Sequence, residues 1–369
     1  MKVLILTNHQ LGLYKFRREL LEELVNCKYK VYVSVPEDEF TQGLKETGVR
    51  VIHNSYMDRR GKNPIHDLKL LNYYWRLLMK IKPEVVLTYT IKPNVYGGFL
   101  CGRTGVPYIA NVTGLGTSIQ NGGVLQALTL MLYRTGLRKA QKVFFQNEEN
   151  RKFMLKHKVV KFKKTDILPG SGVNTEEHCY EPYPKDDGKV IFTTIGRIMK
   201  DKGVDEVFGA AEQIKRVHPD TVFQLIGGFD GGYKEKVKEL QKRGIIEYLG
   251  FQKDIHSYMA ESHAIIHASY HEGMSNILQE AASTGRPVIA TDVHGCIEAF
   301  EPNVTGIAFK PRNTNSLVRA IERFLSISID GREEMGRKGR EKMICEFDRR
   351  IVVNKYMEEI RKANKKADV

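Results

Sequence analysis

Short apolar runs alternate with amphipathic stretches along most of the chain, and this pattern most constrains its fold. Typical runs are VLILT at residues 3–7, VVLTYT at 85–90 and VIFTTI at 190–195. Each run is too short to form a helix, whereas the stretches between them, such as 64–81, have helical spacing. Strands that alternate with helices form parallel sheets covered by helices. The sequence therefore predicts an α/β protein.

The alternation is interrupted once, at residues 181–188. The segment EPYPKDDG contains two prolines, a glycine and acidic residues, a composition typical of a linker. A chain of 369 residues also exceeds the size at which a single core usually stops growing. We therefore predict one domain over residues 1–180, a linker over 181–188 and a second domain over 189–345.

The charge is distributed unevenly between these domains. Residues 1–180 contain 28 Lys and Arg against 15 Asp and Glu, whereas the remaining residues contain 30 against 29. A basic surface can attract nucleic acid, anionic lipid or a phosphorylated substrate. Five widely spaced cysteines, with no Cys-x-x-Cys pair, predict neither a disulfide framework nor a metal cluster.

The sequence contains no obvious targeting or membrane-spanning segment. No apolar run reaches the roughly 18 residues that a spanning helix requires. The first residues lack the small-residue cleavage site of a signal peptide and resemble a buried strand. We therefore expect a cytoplasmic protein. Residues 68–80 and 124–134 combine apolar, aromatic and basic residues, so they could be core helices or could lie on a membrane surface.

Two glycine-containing turns follow apolar runs in the second domain. GRIMKDKG occupies residues 196–203, and EGMSNILQE occupies residues 272–280. Ligands of open parallel sheets bind at the carboxyl ends of strands, where such turns lie. Arg197 and Lys202 could hold a diphosphate there, together with a helix amino end. The acidic residues of the second turn could bind hydroxyl groups, so the pair of turns suits a nucleotide-diphosphate sugar.

The two turns resemble the signature of the family 4 retaining glycosyltransferases of GT-B fold. A narrower likeness lies in TYTIKPNVYG at 88–97 and NVTGLGT at 111–117. These segments are similar to bacterial members that extend undecaprenyl-diphosphate-linked saccharides in capsule, O-antigen or N-glycan assembly. The resemblance implies two facing Rossmann-like domains with parallel sheets. It also implies that a carboxy-terminal helix, over residues 349–366, returns to the first domain.

The resemblance implies a catalytic and donor-binding site in the second domain. Arg197 and Lys202 would stabilise the charge that develops on the departing diphosphate. Glu272 would contact donor hydroxyls and support positive charge at the anomeric carbon, and Glu280 would bind the ribose hydroxyls. The other donor-binding residues are predicted to be Gly196, Gly250, Phe251, Gly273, Met274, Ser275, Asn276 and Ile277.

The first domain is predicted to bind the acceptor. Only Gly12 stands where a dinucleotide-binding turn would carry three glycines, so NAD is not expected. Gly12, Lys15 and Arg17 are predicted acceptor contacts, although these cations could equally form the exposed start of a helix. Thr113 and Gly114 are further contacts. The histidine that many family members carry in this region is missing, so no side chain is assigned as the general base.

The predicted function is that of a metal-independent hexosyltransferase without a cofactor. It would move a sugar from a nucleotide-diphosphate donor, with UDP favoured, to a lipid-diphosphate-linked saccharide, at the inner face of the cytoplasmic membrane. Two alternatives remain open. A UDP-sugar epimerase of GT-B fold would not need a basic first domain, and a nucleic-acid-binding protein would be expected to carry a recognition motif.

Overall fold

The structure, a computed structural model, describes residues 1–57, 63–115, 119 and 122–365. It divides into two compact units. Residues 1–171 and 349–369 form the first, and residues 172–348 form the second. Each unit contains a parallel sheet flanked by helices, which confirms the predicted fold class.

The described residues of the first unit form a seven-stranded sheet in the order β3-β2-β1-β4-β5-β6-β7, with every pairing parallel. The strands are β1 (Lys2–Leu6), β2 (Lys30–Val35), β3 (Arg50–His53), β4 (Val85–Tyr89), β5 (Tyr108–Val112), β6 (Lys142–Phe145) and β7 (Thr165–Ile167). The helices between them are α1 (Gln10–Phe16), α2 (Arg18–Asn26), α3 (Thr41–Glu46), α4 (Pro64–Ile81), α5 (Gly98–Thr104), α6 (Gly123–Leu137) and α7 (Glu148–Lys156). A π-helical turn, Pro93–Gly97, leads directly into α5.

The described residues of the second unit form a six-stranded parallel sheet in the order β10-β9-β8-β11-β12-β13. The strands are β8 (Val190–Ile195), β9 (Thr221–Ile226), β10 (Glu247–Gly250), β11 (Ala264–His267), β12 (Val288–Thr291) and β13 (Gly306–Phe309). The helices are α8 (Val204–Val217), α9 (Lys234–Lys242), α10 (His256–Glu261), α11 (Asn276–Ser283), α12 (Thr314–Leu325) and α13 (Ile329–Lys342).

Both sheets are buried on their two faces, which explains why their strands are continuous apolar runs. Successive side chains of a strand point to opposite faces. In β1, Val3 and Ile5 belong to one apolar core, and Leu4 and Leu6 belong to the other. Helices on both faces cover these cores, so residues at the carboxyl ends of strands are the ones left to contact ligands.

The final helix, α14 (Arg349–Lys365), belongs to the first unit, as the fold class predicts. Its Arg349 guanidinium lies 2.8 Å from the Glu19 carboxylate. Further along, the Tyr356 hydroxyl donates a hydrogen bond to Oδ1 of Asn111, and its ring packs edge-on against Phe144 with centroids 5.2 Å apart. The predicted helix extended to Lys366, which lies outside the described residues.

The division between the units precedes the predicted linker at 181–188, which lies within the second unit. Arg286, fully buried, anchors this segment. Its Nη2 donates hydrogen bonds to the carbonyl oxygens of Glu181 and Pro182, at 3.1 and 2.6 Å. The Tyr183 hydroxyl donates a further bond of 2.9 Å to a backbone oxygen. The two prolines thus mark an extended segment, which hydrogen bonds from Arg286 and Tyr183 hold against the second unit.

Replacing Arg286 by methionine should lower the free energy of unfolding of the second unit by about 3 kcal/mol, because buried carbonyl oxygens lose their donor. Besides the two carbonyls of the linker segment, the guanidinium serves those of Met259 and Gly285. Urea unfolding followed by circular dichroism measures the change. The control Arg337→Met removes only exposed ion pairs on α13 and should cost less than about 1 kcal/mol. Equal losses in the two variants would contradict this role of Arg286.

Candidate functional site

The two glycine-containing turns lie at the carboxyl ends of neighbouring strands of the second unit. β8 pairs with β11, and each strand leads into one of the turns. Nζ of Lys202, in the first turn, donates a hydrogen bond to Oε1 of Glu272, in the second. The structure thus joins two predicted catalytic residues that are 70 positions apart in the chain.

His267 is a third member of this group, and the sequence analysis missed it. It is the last residue of β11 and only 5% exposed. Its Nε2 lies 3.2 Å from Oε1 of Glu272 and 3.2 Å from Oγ of Ser275. A histidine inside an apolar run usually belongs to a core, so the presence of His267 in this run did not by itself indicate a functional residue. Its place at the carboxyl end of a strand, five residues before Glu272, was the available indication.

The surroundings of Glu272 keep its carboxyl group ionised. Burial by itself would raise the pKa of this group. The hydrogen bond from His267 and the positive charge of Lys202 outweigh burial and hold the pKa of Glu272 well below the usual carboxyl range. A fixed negative charge therefore lies at this edge of the sheet beside a fixed positive one.

Arg197 is the second cation of the first turn. Its side chain is half exposed, and its Nη1 lies 2.5 Å from Oδ2 of Asp230. Arg197, Lys202, Gly196 and His267 all line one small cavity at the ends of the strands. The two predicted phosphate-binding cations thus border the same small void of about 10 Å³, and each is paired with a carboxylate.

Two glycines allow the close approach of backbone that forms this edge. Gly203, which ends the first turn, has a φ of +66°, and a Cβ there would lie 2.1 Å from the carbonyl oxygen of Ala268. Gly227 follows β9 with a φ of +148°, and a Cβ there would lie 1.8 Å from the carbonyl oxygen of Gly196. Any side chain at either position would push the turn away from its neighbour.

The second turn leads into α11. Ser275 is the N-cap: its Oγ accepts a hydrogen bond of 3.3 Å from the Leu278 amide. The turn is also held from behind, because the Ser275 amide donates a bond of 2.7 Å to the carbonyl oxygen of Gly295. Met274 is buried in an apolar core, whereas Gly273 and Asn276 are half-buried. The predicted phosphate-binding turn is therefore well ordered by its own contacts.

Glu280 and the remaining predicted donor-binding residues lie in different parts of this unit. Glu280 is buried in α11, with Oε1 4.0 Å from Nε2 of His178. Ile277, on the same helix, packs against an apolar core. Gly250, with a φ of +72°, ends β10, and Phe251 after it is 67% exposed. In the sheet order β10-β9-β8-β11, this strand end lies three strands from that of β11.

In the first unit, the predicted acceptor residues have contrasting environments. The Gly12 amide, within α1, donates a bond of 3.1 Å to Nδ1 of His9, and Lys15 is exposed on the same helix. Arg17 is only 5% exposed, and its guanidinium lies 5.7 Å from the ring centroids of both Tyr89 and Tyr356. Arg17 is therefore neither an exposed helix start nor a surface cation.

Thr113 and Gly114 directly follow β5, and both are half-buried. A Cβ at Gly114 would meet no atom within 4 Å. The strand end before them is fixed by Asn111, whose Nδ2 donates to the carbonyl oxygen of Thr88 and whose own carbonyl accepts from Asn94. Residues 116 and 117 of the same motif lie outside the described residues.

Comparison with known proteins identifies the family. The model described as "Glycosyl transferase 4-like" matches residues 2–147, and the model described as "Glycosyl transferases group 1" matches residues 177–342. The chain belongs to the glycosyltransferases. This confirms the resemblance inferred from the two turns, and each match covers most of one structural unit.

Relatives of this glycosyltransferase include two bacterial transferases. It is 26% identical to the N,N'-diacetylbacillosaminyl-diphospho-undecaprenol alpha-1,3-N-acetylgalactosaminyltransferase of Campylobacter jejuni, over 97% of each chain. It is 25% identical to the UDP-Gal:alpha-D-GlcNAc-diphosphoundecaprenol alpha-1,3-galactosyltransferase of Escherichia coli, over 70% of each chain.

Solved structures confirm the GT-B fold of this glycosyltransferase. Anabaena HepE, in complex with UDP and glucose, matches with a TM-score of 0.79 and 17% identity over 98% of this chain and 100% of that one. The sucrose-phosphate synthase of Thermosynechococcus elongatus matches with a TM-score of 0.81 and 20% identity over 98% of each chain.

The charge of Glu272 should make stability depend on pH in a defined direction. Because folding lowers the pKa of Glu272 from its unfolded value of about 4.3, this carboxylate favours the folded state above that pH and loses its contribution as the pH falls further. Between about pH 5 and pH 3.5, the wild type should therefore lose stability relative to Glu272→Gln, by up to about 1.4 kcal/mol per pH unit.

Urea unfolding of both proteins at each pH measures this difference. The control Glu177→Gln changes an exposed glutamate of the same unit and should follow the wild type at every pH. If Glu272→Gln and the wild type keep a constant difference over the same range, Glu272 is not held ionised by its neighbours.

Proposed function

We propose that this glycosyltransferase moves a sugar from UDP to a saccharide carried on undecaprenyl diphosphate, with retention of the anomeric configuration. The reaction would serve the biosynthesis of capsule, lipopolysaccharide or another cell-surface glycan. The observation that carries the proposal is the ionised Glu272 beside Lys202 and His267 at the carboxyl ends of β8 and β11. Such a site suits a donor that separates into an anion and a positively charged sugar.

Arg197, Lys202 and the amino end of α11 are proposed to bind the donor diphosphate. Both cations belong to the turn after β8, and a helix amino end favours an anion through its amide groups and its dipole. The diphosphate would compete with Asp230 and Glu272 for these cations. Glu280, which is buried on the same helix, is proposed to accept hydrogen bonds from the ribose hydroxyls.

Each charge of the site has a role in the proposed transfer. As the bond between the anomeric carbon and the diphosphate oxygen breaks, negative charge grows on UDP and positive charge on the sugar ring. Arg197 and Lys202 stabilise the former, and ionised Glu272 stabilises the latter. His267 acts as a positioning residue, because it contacts Glu272 within the protein. In same-face transfer the acceptor proton passes to the departing phosphate oxygen, so retention needs no side-chain base.

The names of the two curated relatives support the acceptor class. Each names an undecaprenol diphosphate that carries a sugar, and the Escherichia coli protein is named for UDP-Gal. The HepE structures contain UDP. Gly12, Lys15, Thr113 and Gly114 remain the proposed acceptor contacts. Arg17 is proposed to support the loop beside them from within the core, since its guanidinium lies 5.7 Å from the centroids of two buried tyrosine rings.

Peripheral contact with the inner face of the cytoplasmic membrane is supported by the surface of the first unit. Within the described residues, no helix combines the length and apolar character needed to cross a bilayer. Two helices nevertheless expose apolar residues, which are Ile65, Leu68, Trp75 and Met79 on α4, and Val124, Leu125, Leu128 and Met131 on α6. Beside the end of α6, a cavity of about 550 Å³ is lined by seven Lys and Arg and no acidic residue. Apolar side chains next to cations are typical of surfaces that bind anionic lipid.

UDP should stabilise the protein against heat, because it binds only the folded state. Arg197→Ala and Glu280→Ala should abolish most of the increase in melting temperature that UDP causes. Glu272→Ala should lower the rate of sugar transfer to a lipid-diphosphate saccharide by about 10²–10³-fold. Differential scanning fluorimetry with UDP, GDP, ADP and NAD, followed by a radiolabelled transfer assay, measures both effects. The matched control Arg243→Ala removes an exposed, ion-paired arginine of the same unit and should keep both properties.

Other outcomes of these assays would change the proposal. If GDP and not UDP raises the melting temperature, the donor nucleotide is GDP and the site assignment stands. Conversion of a UDP-sugar to its epimer without any acceptor would favour the isomerase. Unaltered transfer in Glu272→Ala and Lys202→Ala would refute the site assignment.

The double variant Val124→Asp, Leu128→Asp should bind vesicles of anionic phosphatidylglycerol at least about tenfold more weakly than the wild type, because two apolar contacts with lipid are lost. Cosedimentation with vesicles measures this. Val217→Asp, at a position 68% exposed in the second unit, is the control for an added charge and should bind as the wild type does. Equal binding by all three proteins would exclude α6 as the contact.

A further inference from the structure

Three potential metal ligands converge in the second unit, in a place that the proposed transfer does not use. They are Cys179, Glu181 and His256, which come from the segment before β8 and from the start of α10. Sγ of Cys179 lies 3.5 Å from Oε1 of Glu181 and 3.8 Å from Nε2 of His256. Oε1 of Glu181 and Nε2 of His256 are 3.1 Å apart. One thiol, one carboxylate and one imidazole thus form a compact triangle.

The triangle has the dimensions of a zinc site. Zn²⁺ in tetrahedral coordination lies about 2.3 Å from sulfur and about 2.0–2.1 Å from nitrogen and oxygen, so its ligand atoms are separated by about 3.3–3.6 Å. The three distances in the structure fall within about 0.3 Å of that range. An ion could therefore enter with only small side-chain movements. Cys179 is exposed, and the other two side chains are partly exposed, so the ion can arrive from solvent.

Neighbouring contacts orient two of the three ligands. Nδ1 of His256 lies 3.4 Å from Oγ1 of Thr284, which suits an imidazole that donates from Nδ1 and coordinates through Nε2. The backbone of Glu181 is also held, because its amide donates to the carbonyl oxygen of Thr284 and its carbonyl accepts from Arg286. Supporting hydrogen bonds of this kind are a regular feature of metal sites.

We propose that Cys179, Glu181 and His256 bind one Zn²⁺ ion, with water as the fourth ligand. A mixed set of sulfur, nitrogen and oxygen suits this borderline-soft cation, and the thiolate and carboxylate neutralise its charge. The ion connects Cys179 and Glu181, which precede β8, with His256 at the start of α10. It lies next to His178, whose ring packs against that of His256 and whose Nε2 is 4.0 Å from Glu280. The proposal does not depend on the donor or the acceptor of the transferase.

Zinc binding must displace the thiol proton of Cys179. The thiol releases this proton to solvent as the ion binds. Affinity should therefore increase with pH.

The test uses the full chain without a polyhistidine tag, reduced with a phosphine and stripped with a chelator. Zn²⁺ titrated against a chromogenic competitor should show one tight site per chain. Cys179→Ser and His256→Gln should each weaken it about tenfold or more. Co²⁺ in the same site should give a thiolate-to-cobalt charge-transfer band that Cys179→Ser abolishes. All variants replace partly or fully exposed side chains, and their thermal unfolding without metal checks that they fold.

Two variants serve as matched controls. Cys345→Ser removes the other exposed thiol of this unit. His294→Gln removes an exposed histidine that also contacts a glutamate, Glu298, at 2.9 Å. Both should bind Zn²⁺ and Co²⁺ as the wild type does. A zinc affinity that Cys179→Ser leaves unchanged, or a wild-type protein that binds neither ion, would overturn the proposal.

Discussion

The ion pair between Lys202 and Glu272 is the interaction on which the candidate site at the edge of the second sheet depends. A partly buried carboxylate loses hydration, and here Lys202 and His267 compensate for that loss. Because the partners follow different strands, the pair also sets the position of one turn relative to the other. Gly203 permits this arrangement, since only a residue without Cβ can approach the backbone of Ala268 so closely. Electrostatics and backbone geometry thus determine the site together.

The first unit relies on a different kind of interaction, a buried network of neutral polar groups. Thr88 donates to Asn94, whose amide reaches the backbone of Asn111, and the side chain of Asn111 accepts from Tyr356 of the last helix. The motifs at 88–97 and 111–117 therefore contain residues whose side chains stabilise the fold. They fix the ends of β4 and β5 and attach α14, so the loops after these strands start from defined positions.

Much of the fold could be predicted from the sequence because strand formation has a local signal. The apolar run at 190–195 is β8 in the structure. The proximity of Lys202 and Glu272 could also be predicted, because both residues follow apolar runs that form strands. Other features depend on contacts distant in the sequence. His267 resembles a core histidine until Glu272 is placed beside it. Cys179 and His256 are 77 positions apart in the chain and meet only in the folded protein. The linker at 181–188 stays a prediction, and composition alone does not reveal the hydrogen bonds that Arg286 donates to this segment.

The Lys202–Glu272 pair also shows why stability alone would be a poor guide to this site. The absolute stability that the pair contributes is the small difference between a large desolvation cost and a large attraction, and replacement by neutral groups can leave it unchanged or even improve it. The pH dependence reports something separate, namely that the folded protein prefers Glu272 ionised. A neutral variant that folds well and fails to transfer sugar would therefore be the expected behaviour of a site where charge is kept for chemistry. The glycines at 203 and 227 serve the same site, because without a Cβ they allow the backbone of Ala268 and of Gly196 to approach closely.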